Sequence, residues 1–121
     1  MTVTNDKEFM FSQWEYNGKL IKIPHQQPSY AIYSKNYNCI VVMNYERKGE
    51  VSIYNSDGKI TDSFILQDDD IYIQYITGYP QSKSNIAIVG SHSKETSAFQ
   101  DWHFELDLDN KKIGKRLTPA Y

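Results

Sequence analysis

Apolar residues recur at every second position over most of this chain. Val51 and Ile53 alternate with Ser52 and Tyr54, and Phe104, Leu106 and Leu108 alternate with Glu105, Asp107 and Asp109. A period of two sends successive side chains to opposite faces of a strand. Ile40–Met43 and Ile86–Val89 are unbroken apolar runs instead, the pattern of strands covered on both faces. No window keeps the i, i+3, i+4, i+7 stripe of an amphipathic helix. Only Thr4–Phe11, which Asn5 or Asp6 could cap, allows a short one.

Turn signals punctuate these strands. Asn17-Gly18 and Asp57-Gly58 are two-residue hairpin signals, because both residue types tolerate positive φ, and Asn110-Lys111 is a weaker version. Tyr79–Ser84 and Ser91–Gln100 read as polar connections. The arrangement repeats. Cys39–Met43 followed by Val51–Ile60 is matched by Asn85–Val89 followed by Phe104–Ile113, with Gly58 aligned on Lys111. Trp14–Leu20 carries the same turn a third time. Gly18 and Gly58 stand 40 residues apart and Gly58 and Lys111 53, near the roughly 40–50 residues of a four-stranded propeller blade. The expected architecture is therefore a single all-β domain over 1–121. A hairpin at 11–23 precedes blade-like units at 28–66 and 71–118. A closed propeller takes at least about four blades. The chain thus reads as two small antiparallel sheets, either a partial propeller, a β-sandwich, or a protomer that closes by oligomerising.

Composition and charge refine this picture. Aromatic residues make up 14% of the 121 positions and ten of them are Tyr, which suits pleated, half-buried surfaces. The single cysteine, Cys39, excludes an internal disulfide and any cysteine-rich metal site. The net charge is −2, which disfavours direct nucleic-acid binding. That total conceals a strong asymmetry: +1 over residues 1–56, −7 over 57–109 and +4 over 110–121. No apolar run approaches the ~20 residues of a membrane span. Met1–Glu8 lacks the regions of a signal peptide, so a cytoplasmic, membrane-free protein is expected.

Catalytic chemistry finds little support. His25, His92 and His103 are scattered without metal-ligand spacing, so no metal and no cofactor are expected. Neither a nucleophile elbow nor a glycine-rich phosphate cradle is encoded. Cys39 opens an apolar run, which favours an inert thiol. Glu105, Asp107 and Asp109 share a strand face with neighbours ~7 Å apart, a spacing inverting glycosidases use. A solvated strand face has the same pattern, and a non-enzymatic protein is expected.

The acidic block is centred on Asp68-Asp69-Asp70, with Tyr72, Tyr75 and Tyr79 close behind. Adjacent carboxylates repel one another unless something positive answers them. Tyrosine and tryptophan are favoured anchors at binding hot spots, and focused negative charge speeds capture of a basic partner. The expected partner-binding set is Asp68, Asp69, Asp70, Tyr72, Tyr75, Glu95, Asp101 and Trp102. The basic tail, Lys111, Lys112, Lys115 and Arg116, is expected to pair with the acidic strand Glu105–Asp109 across the last hairpin.

In format, the chain resembles the immunity proteins of bacterial contact-dependent growth inhibition systems. It shares their small size, β-structure, tyrosine content and an acidic patch such as Asp68-Asp69-Asp70 with Tyr72, without catalytic motifs. The resemblance implies a protein that neutralises a cognate toxin domain, often a ribonuclease, by covering its basic active site. The alternative is a carbohydrate- or ligand-binding β-module, in which exposed Trp14, Trp102 and several Tyr would form a stacking platform.

Overall fold

A computed structural model describes residues 1–93 and 101–120. Every element in these residues is a β-strand, and all pairings are antiparallel, in agreement with the period-two pattern. There are three sheets rather than two. The first contains β1 (Thr4–Asn5), β2 (Phe11–Tyr16) and β3 (Lys19–Pro24) in the order β1-β2-β3. The segment 4–11 therefore begins as a strand, not a helix: Thr4 and Asn5 pair with Gln13 and Ser12. Capping chemistry at Asn5 is diverted instead. Its side-chain amide bonds the main chain of Ala31 in both directions, at 3.0 and 2.9 Å.

The middle sheet is a meander of β4 (Ser29–Ser34), β5 (Cys39–Asn44), β6 (Glu50–Tyr54) and β7 (Ile60–Ile65). The last sheet is a second meander of β8 (Ile71–Gly78), β9 (Ile86–His92), β10 (Asp101–Asp107) and β11 (Lys112–Pro119). No sheet closes into a barrel.

The middle sheet is buried on both faces. Val41, Met43 and Val51 pack with Ile76, Ile86, Ile88, Phe104 and Leu106 of the last sheet. Ile40, Val42 and Ala31, on the other face, pack with Trp14 of the first sheet. This explains the unbroken apolar run in β5, since each of Ile40–Met43 meets protein on its own side. Burying a side chain of this size contributes about 1.5–3 kcal/mol. Strand β4 is where the sheets converge, lying against β1, β2 and β8.

Because the meanders run up and down, their connections segregate. One end of the molecule collects the hairpin turns after β2, β4, β6, β8 and β10. It supplies most of the left-handed residues: Asn17 and Gly18 (φ 52° and 75°), Asn38, Gly58 (91°), Asn85 and Lys111 (56°). The opposite end holds the remaining connections, among them Asp6–Met10, Tyr45–Gly49 and the acidic Asp68–Asp70 turn. Among the described residues, no helix is long and apolar enough to cross a membrane.

Candidate functional site

The Asp68–Asp70 turn joins β7 to β8 and is fully exposed. Asp68 accepts the Asp70 N–H at 2.9 Å, and the Asp70 carbonyl accepts Ser93 N–H at 2.8 Å. The turn is thus held by the Asp68 carboxylate and by the main chain of Ser93. Among the described residues the ion pairs are Arg47–Glu50, Lys83–Asp109 and Lys111–Asp62, and none answers these three carboxylates.

Directly along the sheet from this turn, Tyr72 faces Ser91, and Ser91 faces Asp101. These three residues share the outward face of the last sheet, where Tyr72 is 67% exposed. Tyr75 should point the opposite way, since it lies three positions after Tyr72. A β-bulge between Ile73 and Tyr75 restores it: Ile73 pairs with Gly90 and Tyr75 with Val89. The extra residue, Gln74, donates to Asp101 at 2.9 Å. The bulge therefore gathers Tyr72, Gln74 and Tyr75 on one face.

Trp102 lies elsewhere. It pairs with Gly90, on the face that packs against the core, and Arg116 sits over its ring at 4.0 Å from the centroid. Strand alternation separates it from its neighbour Asp101. Glu95 lies outside the described residues. Trp14 is 2% exposed and donates its indole N–H to the Ser56 carbonyl at 2.8 Å, so it belongs to no stacking platform.

The acidic strand of β10 is committed to structure. Glu105 accepts Ser84 N–H at 3.2 Å, Asp107 is bonded by Asn110, and Asp109 by Lys83. Hydrogen bonds from Asn110 hold the Asp107 carboxyl below its ordinary range, and those from Lys83 and Tyr37 do the same for Asp109. The basic tail pairs only partly as expected. Lys112 lies opposite Asp107, but Lys111 reaches across to Asp62 on β7 at 2.8 Å. That contact ties the last hairpin to the middle sheet.

Sequence reading missed two constellations. The first is His25 Nε2 at 2.8 Å from Ser12 Oγ, which superficially matches a base and its nucleophile. Ser12 is completely buried and gives its only proton to Asn5 Oδ1 at 2.8 Å. Asn5 cannot flip, because Ala31 fixes both ends of its amide. His25 must therefore donate from Nε2, and burial lowers its pKa, so the neutral ring is a structural strut. The Cys39 thiol is pushed up to about 11 by burial and is equally unreactive. Among the described residues no group of three His, Cys, Asp or Glu could hold a metal ion.

The second missed constellation is aromatic. Phe9 packs edge-on against Tyr30 and Tyr45 at 6.0 and 5.6 Å, while Tyr30 and Tyr45 stack at 6.0 Å with an interplanar angle of 7°. Phe9 holds a left-handed φ of 61°, a cost of about 1–3 kcal/mol for a bulky residue. Burial pushes the Tyr45 hydroxyl up to about 12, with further contributions from Tyr30 and Tyr75. The cluster sits at the acidic end, and Leu66, just before Asp68, donates its N–H to Gly49 of the Tyr45 loop at 2.7 Å. Phe9 carried no signal, since it is a lone aromatic among polar residues. Tyr45 stands one position beyond the end of β5, where periodicity no longer speaks.

A polar groove of about 740 Å³ also opens between the first and middle sheets, lined by His25, Gln27, Asn44, Arg47, Glu50 and Tyr54 among others. Its polar groups largely answer one another: Asn44 donates to Gln27 at 2.7 Å and Arg47 pairs with Glu50. Comparison of the chain with protein-family models, with curated proteins and with solved structures finds no match.

Proposed function

We propose that this chain is an immunity-type protein. It binds a basic toxin domain, of the ribonuclease kind, and covers the toxin's active site with its acidic end. The observation that carries the reading is the outward face of the last sheet. Exposed Tyr72, with Tyr75 and Asp101, lies beside three consecutive carboxylates that no described cation answers. Tyrosines supply contact area at low entropy cost, while the aspartates steer the approach of a cationic cleft. A patch of this sign also disfavours self-pairing through the same face, because it would bring two acidic turns together.

The test is co-expression and pull-down with the product of the neighbouring upstream gene. A stable complex that blocks cleavage of RNA by the toxin is the expected result. Replacing Asp68, Asp69 and Asp70 by Ala should then slow association about tenfold or more at low salt and flatten its salt dependence. A neighbour without a toxin domain, or no complex with it, overturns the reading. A wild-type association rate in the triple variant shows that another surface makes the contact.

A further inference from the structure

The middle and last sheets have four strands each, whereas the first has three. The first sheet packs on the middle one through Trp14, Ile21 and Ile23, which meet Ile40, Val42 and Tyr54. It ends at β3 and leaves a strip of β7 uncovered, where Ile60 is 56% exposed and Ile65 62%. Five positions apart, these two would point to opposite faces of a regular strand. A bulge at Thr61 prevents this: Ile60 pairs with Tyr54, Ser63 with Ser52 and Ile65 with Glu50. All three β7 residues therefore lie on the face turned toward the first sheet. The groove of about 740 Å³ opens on this face, with Ser52, Tyr54 and Ile60 on one wall and Pro24 and His25, where β3 ends, on the other.

An open strand edge borders the same strip. The two-residue turn Asn17-Gly18 is closed by the Tyr16–Lys19 pair. The closing pair of such a hairpin exchanges main-chain bonds, and the pattern then alternates along the strand. Lys19, Ile21 and Ile23 thus bond to β2, while the N–H and C=O groups of Leu20 and Lys22 point away from it. The sheet order ends at β3, so no described strand receives them. The Lys22 side chain does not shield this edge, because its ammonium is drawn back over the Phe11 ring on β2, 4.0 Å from the centroid. The other outer strands are better guarded. Asp62 ties β7 to Lys111 of the last hairpin, and β11 carries two register shifts and Pro119.

We propose that this groove takes an extended segment of a partner protein, which adds to β3 as the fourth strand of the first sheet. The segment's main chain pairs with Leu20 and Lys22, and its alternate apolar side chains lie on Ile60 and Ile65. Its other side chains are acidic, because the only charges on β3 are Lys19 and Lys22, while Ile60, Ser63 and Ile65 carry none. Recognition through the main chain suits a groove whose polar side chains already bond to one another, as Asn44 does to Gln27. A second copy does not fit through its own β3. Both middle sheets overhang on that side, and the two β7 strands would claim the same space. The surface lies across the middle sheet from the Tyr72 face and does not rest on the toxin-neutralising reading.

The probe is a blocked hexapeptide in which valine alternates with glutamate, titrated into the wild-type protein and followed by NMR. Saturation should slow hydrogen exchange of the Leu20 and Lys22 amides about tenfold or more and shift the methyl signals of Ile60 and Ile65. The same peptide with every internal amide N-methylated keeps its side chains and charge but loses its donors, and it should not bind. A valine–lysine peptide should bind about fivefold or more weakly at low salt. In the protein, I60K/I65K places two charges in the groove at exposed positions. It should weaken binding about tenfold or more with the thermal midpoint unchanged. The exchange measurement uses the unmutated chain, so it decides the matter even where that variant folds poorly. No binding of the valine–glutamate peptide, or binding without protection of Leu20 and Lys22, overturns the proposal. Equal binding of the N-methylated or valine–lysine peptide, or equal binding by a folded I60K/I65K protein, does the same. So does concentration-dependent self-association that the peptide displaces, which would make a second copy the occupant.

Discussion

The two ends of this molecule are built from opposite materials. The hairpin end uses Asn, Gly and Lys at positive φ to close tight turns, and two ion pairs tie its turns together: Lys83 with Asp109 and Lys111 with Asp62. At the acidic end stand a strained Phe9, its edge-on contacts with Tyr30 and Tyr45, and carboxylates at Asp68–Asp70 that no ion pair among the described residues answers. The hairpin end is optimised for folding. The acidic end keeps features that cost stability, which is where binding function is expected in a folded chain.

This contrast predicts that stability and binding respond to different ends. The largest effect should come from Gly58→Ala at the hairpin end. Its φ is 91°, and an added Cβ would stand 2.7 Å from Ile21 Cγ2 in the packed interface with the first sheet. A loss of about 2–3 kcal/mol in urea denaturation is expected, with partner association intact at temperatures where the variant is folded. A loss under about 0.5 kcal/mol would mean that the turn yields freely, and the contrast between the ends would weaken.

The next effect is a pH dependence at the acidic end. Tyr45 ionises near pH 10.0 when unfolded, and burial pushes it up to about 12 in the folded protein. The neutral phenol is the form the fold favours. Its contribution is fully present below about pH 10 and is lost as pH rises through about 12. Urea midpoints should fall over that interval, and Tyr45→Phe should flatten the fall. An unchanged slope in the variant would place the titration on other groups.

The smallest effect belongs to the paired surface charges. Asp62→Asn removes a bridge whose partners are largely solvated, so its change in stability should sit at the limit of detection. The sign can still be read. The Lys111 hydrogen bond lowers the pKa of Asp62, so its contribution exists above the ordinary carboxylate value of 3.8 and vanishes as pH falls below it. A double-mutant cycle with Lys111→Ala should give a coupling that disappears in high salt. A coupling that persists there would show that the bridge orders the last hairpin.

Much of the architecture was legible because hairpins are local. Asn17-Gly18 and Gly58 adopt the positive φ their residue types permit, and each connects strands that periodicity already marks. The third sheet was less visible. Strand β1 has two residues, too few for a period to register, and its place is decided by the Asn5 amide on Ala31, 26 positions away. The candidate surface was legible as composition, in the Asp68–Asp70 run and its nearby tyrosines. Its geometry was not. Trp102 and Asp101 are neighbours in sequence and opposites in space, while Tyr72 and Tyr75 share a face only through the bulge at Gln74.

By itself the sequence determined the strands, their hairpin turns and the uneven distribution of charge, because each depends on residues within one or two turns of the chain. Tertiary structure alone decided which charges stay unanswered. The meanders carry Asp62 to Lys111 and Lys83 to Asp109, while the Asp68–Asp70 turn is left at the far end. It also decided that Phe9, Tyr30 and Tyr45 meet. They come from three separate segments, and only the packing around β4 brings them within reach of one another.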